Sequence, residues 1–280
     1  MFFRTWSRSW EFAKLSYSTL LEHKHLIAFP VISTAASILV LMSFIVPLEM
    51  TGTLDGWMAS VDAAEGAPED PTMYITAFLF YFCNFFAIVF FNTALIASVM
   101  DIFEGGKGSL GFGLKFALRR IHAIFGWALV SACVGMILNA LERNEKIGRF
   151  VAGLLGSAWT ALTYFVIPVI VSQGLGPVAA IKESMNVLKK EWGTALMGNF
   201  SMGTFGFLLM LPVILVGIVL GIYVDVVVAL AICIPLGILA LLTSTTADAI
   251  FKAYLYSYAT GKTLPEGVET FGMRDAFSQK

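Results

Sequence analysis

Between Met73 and Met100 the chain runs for the length of a bilayer crossing without a charged residue, through the stretch FLFYFCNFFAIVFF. This run limits what the chain can fold into. A helix needs about 20 apolar residues to cross about 30 Å of hydrocarbon. In hydrocarbon every backbone N–H and C=O must find its partner within the protein, which leaves helices and closed barrels. Barrel strands alternate apolar and polar residues over about ten positions, whereas here the apolar runs are continuous. Composition agrees: 58% of the residues are hydrophobic and 13% charged, against about 45–50% and about 25% in ordinary soluble domains. The expected fold is an all-α polytopic membrane helix bundle with six transmembrane helices.

The six predicted spans cover about residues 26–48, 73–100, 122–141, 150–173, 197–222 and 226–248. The last two are separated only by YVDV, a tight turn whose sole charge is Asp225. Residues 1–260 form a single membrane domain and 261–280 a short polar tail. The first 25 residues or so carry charges throughout and lack a small-residue cleavage pattern, so no cleavable signal is expected.

Charge sets the expected orientation. If the N-terminus is cytoplasmic, fifteen lysines and arginines fall on the inner side and three, Arg143, Lys146 and Arg149, on the outer. The loop from 49 to 72 has six acids and no basic residue. An excess of this kind marks the cytoplasmic side. The expectation is therefore a cytoplasmic (plasma) membrane protein with both termini inside. A net charge of −1 gives no reason to expect a nucleic-acid partner.

Three inner segments are amphipathic: AKLSYSTLLEHK (13–24), LKFALRRIHAIF (114–125) and IKESMNVLKKEW (181–192). In the third, Ile181, Met185, Leu188 and Trp192 step by four, three and four and share a helical face. Such helices are expected to lie in the headgroup plane, apolar side toward the acyl chains. Aligned on Lys14, Lys115 and Lys182, the segments share a small residue two positions on (Ser16, Ala117, Ser184). Six positions on they share an aliphatic one (Leu20, Ile121, Leu188). The unit of interfacial helix, outward span, loop and inward span thus occurs three times.

These repeats, with AIFKAYLYSYATGKTLPEG (249–267), resemble an uncharacterised bacterial family of multipass membrane proteins. That family is similar to the membrane domain of some glycerophosphodiester phosphodiesterases. The resemblance implies six helices with interfacial elements, and it brings no catalytic residues.

GGKGSLGFG (105–113) fails the phosphate-loop order and reads as a turn with an N-cap at Ser109. His23 and His25 are two apart, on different sides of a helix. Cys83, Cys133 and Cys233 sit singly in apolar runs. No metal, no cofactor and no catalytic set is expected. Asp101 and Asp248 end spans two and six and are expected to pair with Arg119, Arg120 or Lys252. Pro168, Pro212 and Pro235 should kink their spans, and Gly217 with Gly221 should permit a close helix approach.

The leading expectation is a non-enzymatic integral membrane protein that organises the membrane or supports a membrane complex. Its partners would be anionic inner-leaflet lipids, with a protein in the membrane as a further candidate. Lys115, Arg119, Arg120, Lys182, Lys189 and Lys190 would contact lipid headgroups, with Trp6, Trp10 and Trp192 as interfacial anchors. The alternative is a transporter or permease for a lipid-like or small neutral solute, with Asn84, Asn92, Thr243 and Thr246 along its path. Asn84 and Asn92 lie roughly 80° apart around their helix axis. The threonines can instead bond back to their own helix.

Overall fold

The computed structural model describes residues 2–62, 71–142, 145–262 and 264. Among these there are ten α-helices and no strand. They are α1 (Phe2–Glu22), α2 (Ala28–Met50), α3 (Thr53–Asp62), α4 (Pro71–Phe103), α5 (Leu110–Arg119), α6 (Ile121–Glu142), α7 (Glu145–Leu162), α8 (Val166–Gln173), α9 (Pro177–Tyr223) and α10 (Val226–Thr260). Six helical stretches are long and apolar enough to cross a membrane: Lys24–Met50, Pro71–Phe103, Ile121–Glu142, Gly148–Gln173, Gly193–Tyr223 and Val226–Thr260. All six predicted spans fall within them. The fold is an all-α bundle, and the protein is a multipass integral membrane protein. Its outward surface fits that solvent. Leu39, Ile222 and Val227 are each about 70% exposed, and so wide an apolar surface is rare on a soluble monomer.

Each amphipathic segment ends in a break before its span. His23 (φ −117°, ψ 58°) interrupts the chain before a 3₁₀ turn at Lys24–Ile27. Arg120 (φ −101°, ψ 13°) separates α5 from α6, so the predicted third span begins within the 114–125 segment. Glu191 (φ −121°, ψ 26°) kinks α9. His23 and Glu191 occupy the same register, nine residues after Lys14 and Lys182. The shared small residue has a shared role as well, because Ser16, Ala117 and Ser184 are all fully buried.

These burials alter one expectation. The apolar sides of α1 and of the first part of α9 pack largely on protein, where acyl chains were expected. Phe12, Ala13, Leu20, Val187 and Leu188 are buried in the core. Phe12 meets Phe251 edge-on at 6.3 Å and Tyr258 at 5.8 Å. α5 is different: Phe112 and Leu118 remain exposed. Its Gly113 lies so close to Ala94 O and Ser98 Oγ that a methyl group would collide with both. Glycine is what allows α5 to seat on α4.

The fourth span is broken between Leu162 and Val166. The amide freed at Phe165 donates to Ser184 Oγ at 3.0 Å, which satisfies a buried donor at the break. Pro168 follows within α8, whereas Pro212 and Pro235 lie inside continuous helices and no break marks them. The YVDV turn is as tight as predicted. Asp225 Oδ1 accepts from the amides of Val227 (2.7 Å) and Val228 (3.2 Å) and caps α10. Beyond it, α9 and α10 meet along small residues. Gly217 faces Cys233 Sγ and Gly206 faces Ser244, while Gly221 has open space beside it.

Candidate functional site

α1, α5 and the first part of α9 lie at one end of the bundle, the basic end. Lys115, Arg119, Lys182, Lys189 and Lys190 are exposed there and Arg120 is half-buried. None of the six is in an ion pair among the described residues; the ion pairs shown are Lys14–Glu11 and Lys252–Asp248. Arg120 lies 5.7 Å from the Phe116 ring centre and its guanidinium rests against Gly174, while Gly126 faces Pro177. The junction of α5 with α6 therefore lies beside the end of α8 and the start of α9.

The aromatic anchors divide. Trp10 stacks on Phe205 with ring centres 4.4 Å apart, so its ring holds α1 to α9. The side chains of Trp6 and Trp192 lie outside the described residues. The turn after α4 is organised as the sequence predicts at Ser109, whose hydroxyl accepts from Phe112 N at 3.2 Å. Asp101 departs from expectation. Its carboxylate accepts from the Gly108 amide at 2.9 Å and holds the glycine turn, in place of pairing with an arginine. His25 Nε2 bonds Gly108 O at 2.9 Å and ties this turn to the start of the first span. The rings of His23 and His25 lie 5.8 Å apart. No cluster of metal-binding side chains occurs among the described residues.

A cavity of about 480 Å³ lies between α4, α6, α7, α8 and α10. Asn92, Ser131, Thr160, Thr163, Tyr164, Thr245, Asp248 and Lys252 are its polar walls. Trp127 and Trp159 stack at 5.6 Å along one side. Lys252 Nζ pairs with Asp248 at 2.7 Å, as the sequence predicts for that acid, and lies 5.1 Å from the Tyr164 ring centre. The Tyr164 hydroxyl is buried and has no hydrogen-bond partner among the described residues. A smaller cavity of about 270 Å³ lies between α2, α4 and α10, lined by Ser33, Thr34 and Ser37. Asn92 and Thr245 border both.

Of the four residues expected along a polar path, Asn92 alone lines these two cavities. Thr243 and Thr246 donate to the carbonyls of Leu239 (2.7 Å) and Leu242 (2.6 Å), the back-bonding alternative. Asn84 lies half-buried on α4. Tyr164 and Thr245 were missed as cavity residues. No periodic signal in the sequence distinguishes Thr245 from its neighbours.

Fold and surface thus define a multipass, all-helical membrane protein. By sequence, residues 72–264 match a family of unknown function (DUF6159), and the chain belongs to that family. No curated protein and no solved structure matches the chain.

Proposed function

We propose that the protein is a non-enzymatic membrane organiser that holds anionic lipids against its basic end. The observation that supports this reading is the set of six cationic side chains on α5, at its end and on α9, exposed or half-exposed and in no ion pair among the described residues. An unpaired cation beside an anionic surface gains about 1 kcal/mol, and guanidinium groups suit phosphate oxygens especially well. The excess of basic residues at this end points to the cytoplasmic leaflet. The buried faces of α1 and α9 make the charged platform rigid, which suits it to a membrane complex as well as to lipid.

The test is charge reversal. Changing Lys115, Arg119, Arg120, Lys182, Lys189 and Lys190 to Glu should abolish enrichment of phosphatidylglycerol over phosphatidylcholine around the purified protein in mixed nanodiscs. Enrichment equal to that of the unaltered protein would refute the reading. The second reading, a permease for a lipid-like or small neutral solute, draws support from Asn92, which borders both cavities. Cysteine labelling of Asn92 and Thr245 from the aqueous phase is its test: labelling supports a hydrated path, and protection at both positions removes it.

A further inference from the structure

We propose that the larger cavity binds a single-chain amphiphile with an uncharged, hydroxyl-bearing head, of which a monoacylglycerol is the model compound. The head would sit at Asp248, Lys252 and Tyr164, with the tail running away from the basic end. This site is separate from the basic platform and does not depend on it.

Size and polarity are the first observations. A volume of about 480 Å³ lies within the roughly 300–1,000 Å³ of small-molecule sites. Along α4 the wall from Ile96 to Phe85 extends about 16 Å. Ile96, Trp127 and Lys252 lie toward the basic end, because α4 and α10 run toward it and α6 runs away from it. Toward the other end the walls are Phe85, Val134, Gly135 and Leu138. The Phe85 ring lies over Gly135, where a Cβ would be 3.4 Å from it. That end of the cavity is apolar, as an acyl chain requires.

The chemistry of the polar end selects the head. Lys252 and Asp248 neutralise each other at 2.7 Å. An ammonium keeps two further donors after one bond, and a carboxylate keeps further lone pairs. A hydroxyl can donate to Asp248 and accept from Lys252. A charged head would lose its hydration without meeting a net counter-charge in this pair. Tyr164 adds the independent observation. Its buried hydroxyl lacks a partner among the described residues, an arrangement that destabilises a protein unless something meets it. The Tyr164 ring lines the cavity, and a small rotation of it would bring the hydroxyl to a hydroxylated head, which supplies the missing acceptor.

Trp127 and Trp159 in the cavity wall provide the readout. In the full chain in nanodiscs, with Trp6, Trp10, Trp57 and Trp192 changed to Phe, a chain-brominated monoacylglycerol should quench the remaining fluorescence saturably. A brominated fatty acid at a pH where it is ionised should bind roughly ten-fold more weakly or worse. A brominated diacyl phosphatidylcholine should quench without saturating. Tyr164→Phe should weaken monoacylglycerol binding about two- to ten-fold and leave the ligand-free thermal stability unchanged or higher. If the four-tryptophan variant does not fold, thermal stabilisation of the unaltered chain by unbrominated monoacylglycerol, compared with Tyr164→Phe, gives the same answer. Non-saturable quenching, equal binding of the fatty acid, or unchanged binding by Tyr164→Phe would each overturn the assignment.

Discussion

Along α10, residues from Thr246 to Ser257 are buried at all positions except Asp248 and Lys252, while from Val226 to Leu241 nearly every large side chain points outward. Both halves are helical and both are rich in apolar residues. In the first half only Ala229, Gly237 and Ala240 are buried, a seam of small residues. In the second half Ile250, Phe251, Tyr254, Leu255 and Tyr256 enter a core shared with α1, α4, α8 and α9. Ser172 and Gln173 bond the Tyr256 hydroxyl and fasten α8 to this core. Lipid tails are as apolar as a leucine side chain, so burial between helices has little hydrophobic drive in the membrane. The outer half therefore needs no dense packing. The half near the basic end approaches water, and there it is closed by α1 and by aromatic contacts.

The contrast can be broken most strongly at Phe251. Phe251→Ala should cost about 3–5 kcal/mol, as large core aromatics do, while Leu230→Ala or Ile234→Ala should cost less than about 1 kcal/mol. Reversible unfolding in bicelles by SDS titration measures both, and equal losses would erase the difference between the halves. A smaller effect is expected at Ser184, where loss of the hydroxyl strands the Phe165 amide. Ser184→Ala should cost about 1–3 kcal/mol in the same titration, with Ser18→Ala, a hydroxyl bonded on an exposed surface, as a near-neutral comparison.

The smallest effect concerns pH at the junction of α1 with α10. Burial raises the Tyr17 hydroxyl above tyrosine's ordinary pKa of 10.0; its hydrogen bond with Ser244 opposes the rise and the Asp248 carboxylate adds to it. The folded state therefore keeps this proton to higher pH than the unfolded chain. Its contribution to stability is complete below about pH 10 and is lost as pH climbs through the raised folded value. Tyr17→Phe should flatten the alkaline decline in stability, read as the unfolding midpoint between about pH 9 and pH 11.

Much of this architecture was legible in the chain. Runs such as Met73–Met100 identified the spans, because length and the absence of charge are themselves the physical requirement. Asp225 and Ser109 were legible as caps because a carboxylate or hydroxyl beside a helix start meets free amides at once. The fit at Gly113 and the pairing of Asp101 with the Gly108 amide depend on neighbours that the local pattern does not specify. The break at Thr163–Phe165 was legible from Pro168, whose ring excludes the carbonyl one turn back; its repair was not, because the freed amide is met by Ser184, nineteen residues away in sequence. At the candidate site, the pairing of Asp248 with Lys252 could be read because four residues is one helical turn. The convergence of Asn92, Tyr164 and Thr245 joins three separate spans and could not.

By itself the sequence determined the solvent, the number of crossings and the end of the bundle that gathers positive charge, since each follows from local composition. Only the tertiary structure decided which apolar faces meet protein and which meet lipid, and where a cavity opens between them. Periodicity reports that a face avoids water. It does not distinguish the two apolar surroundings that can receive that face, because to an aliphatic side chain they are nearly equivalent.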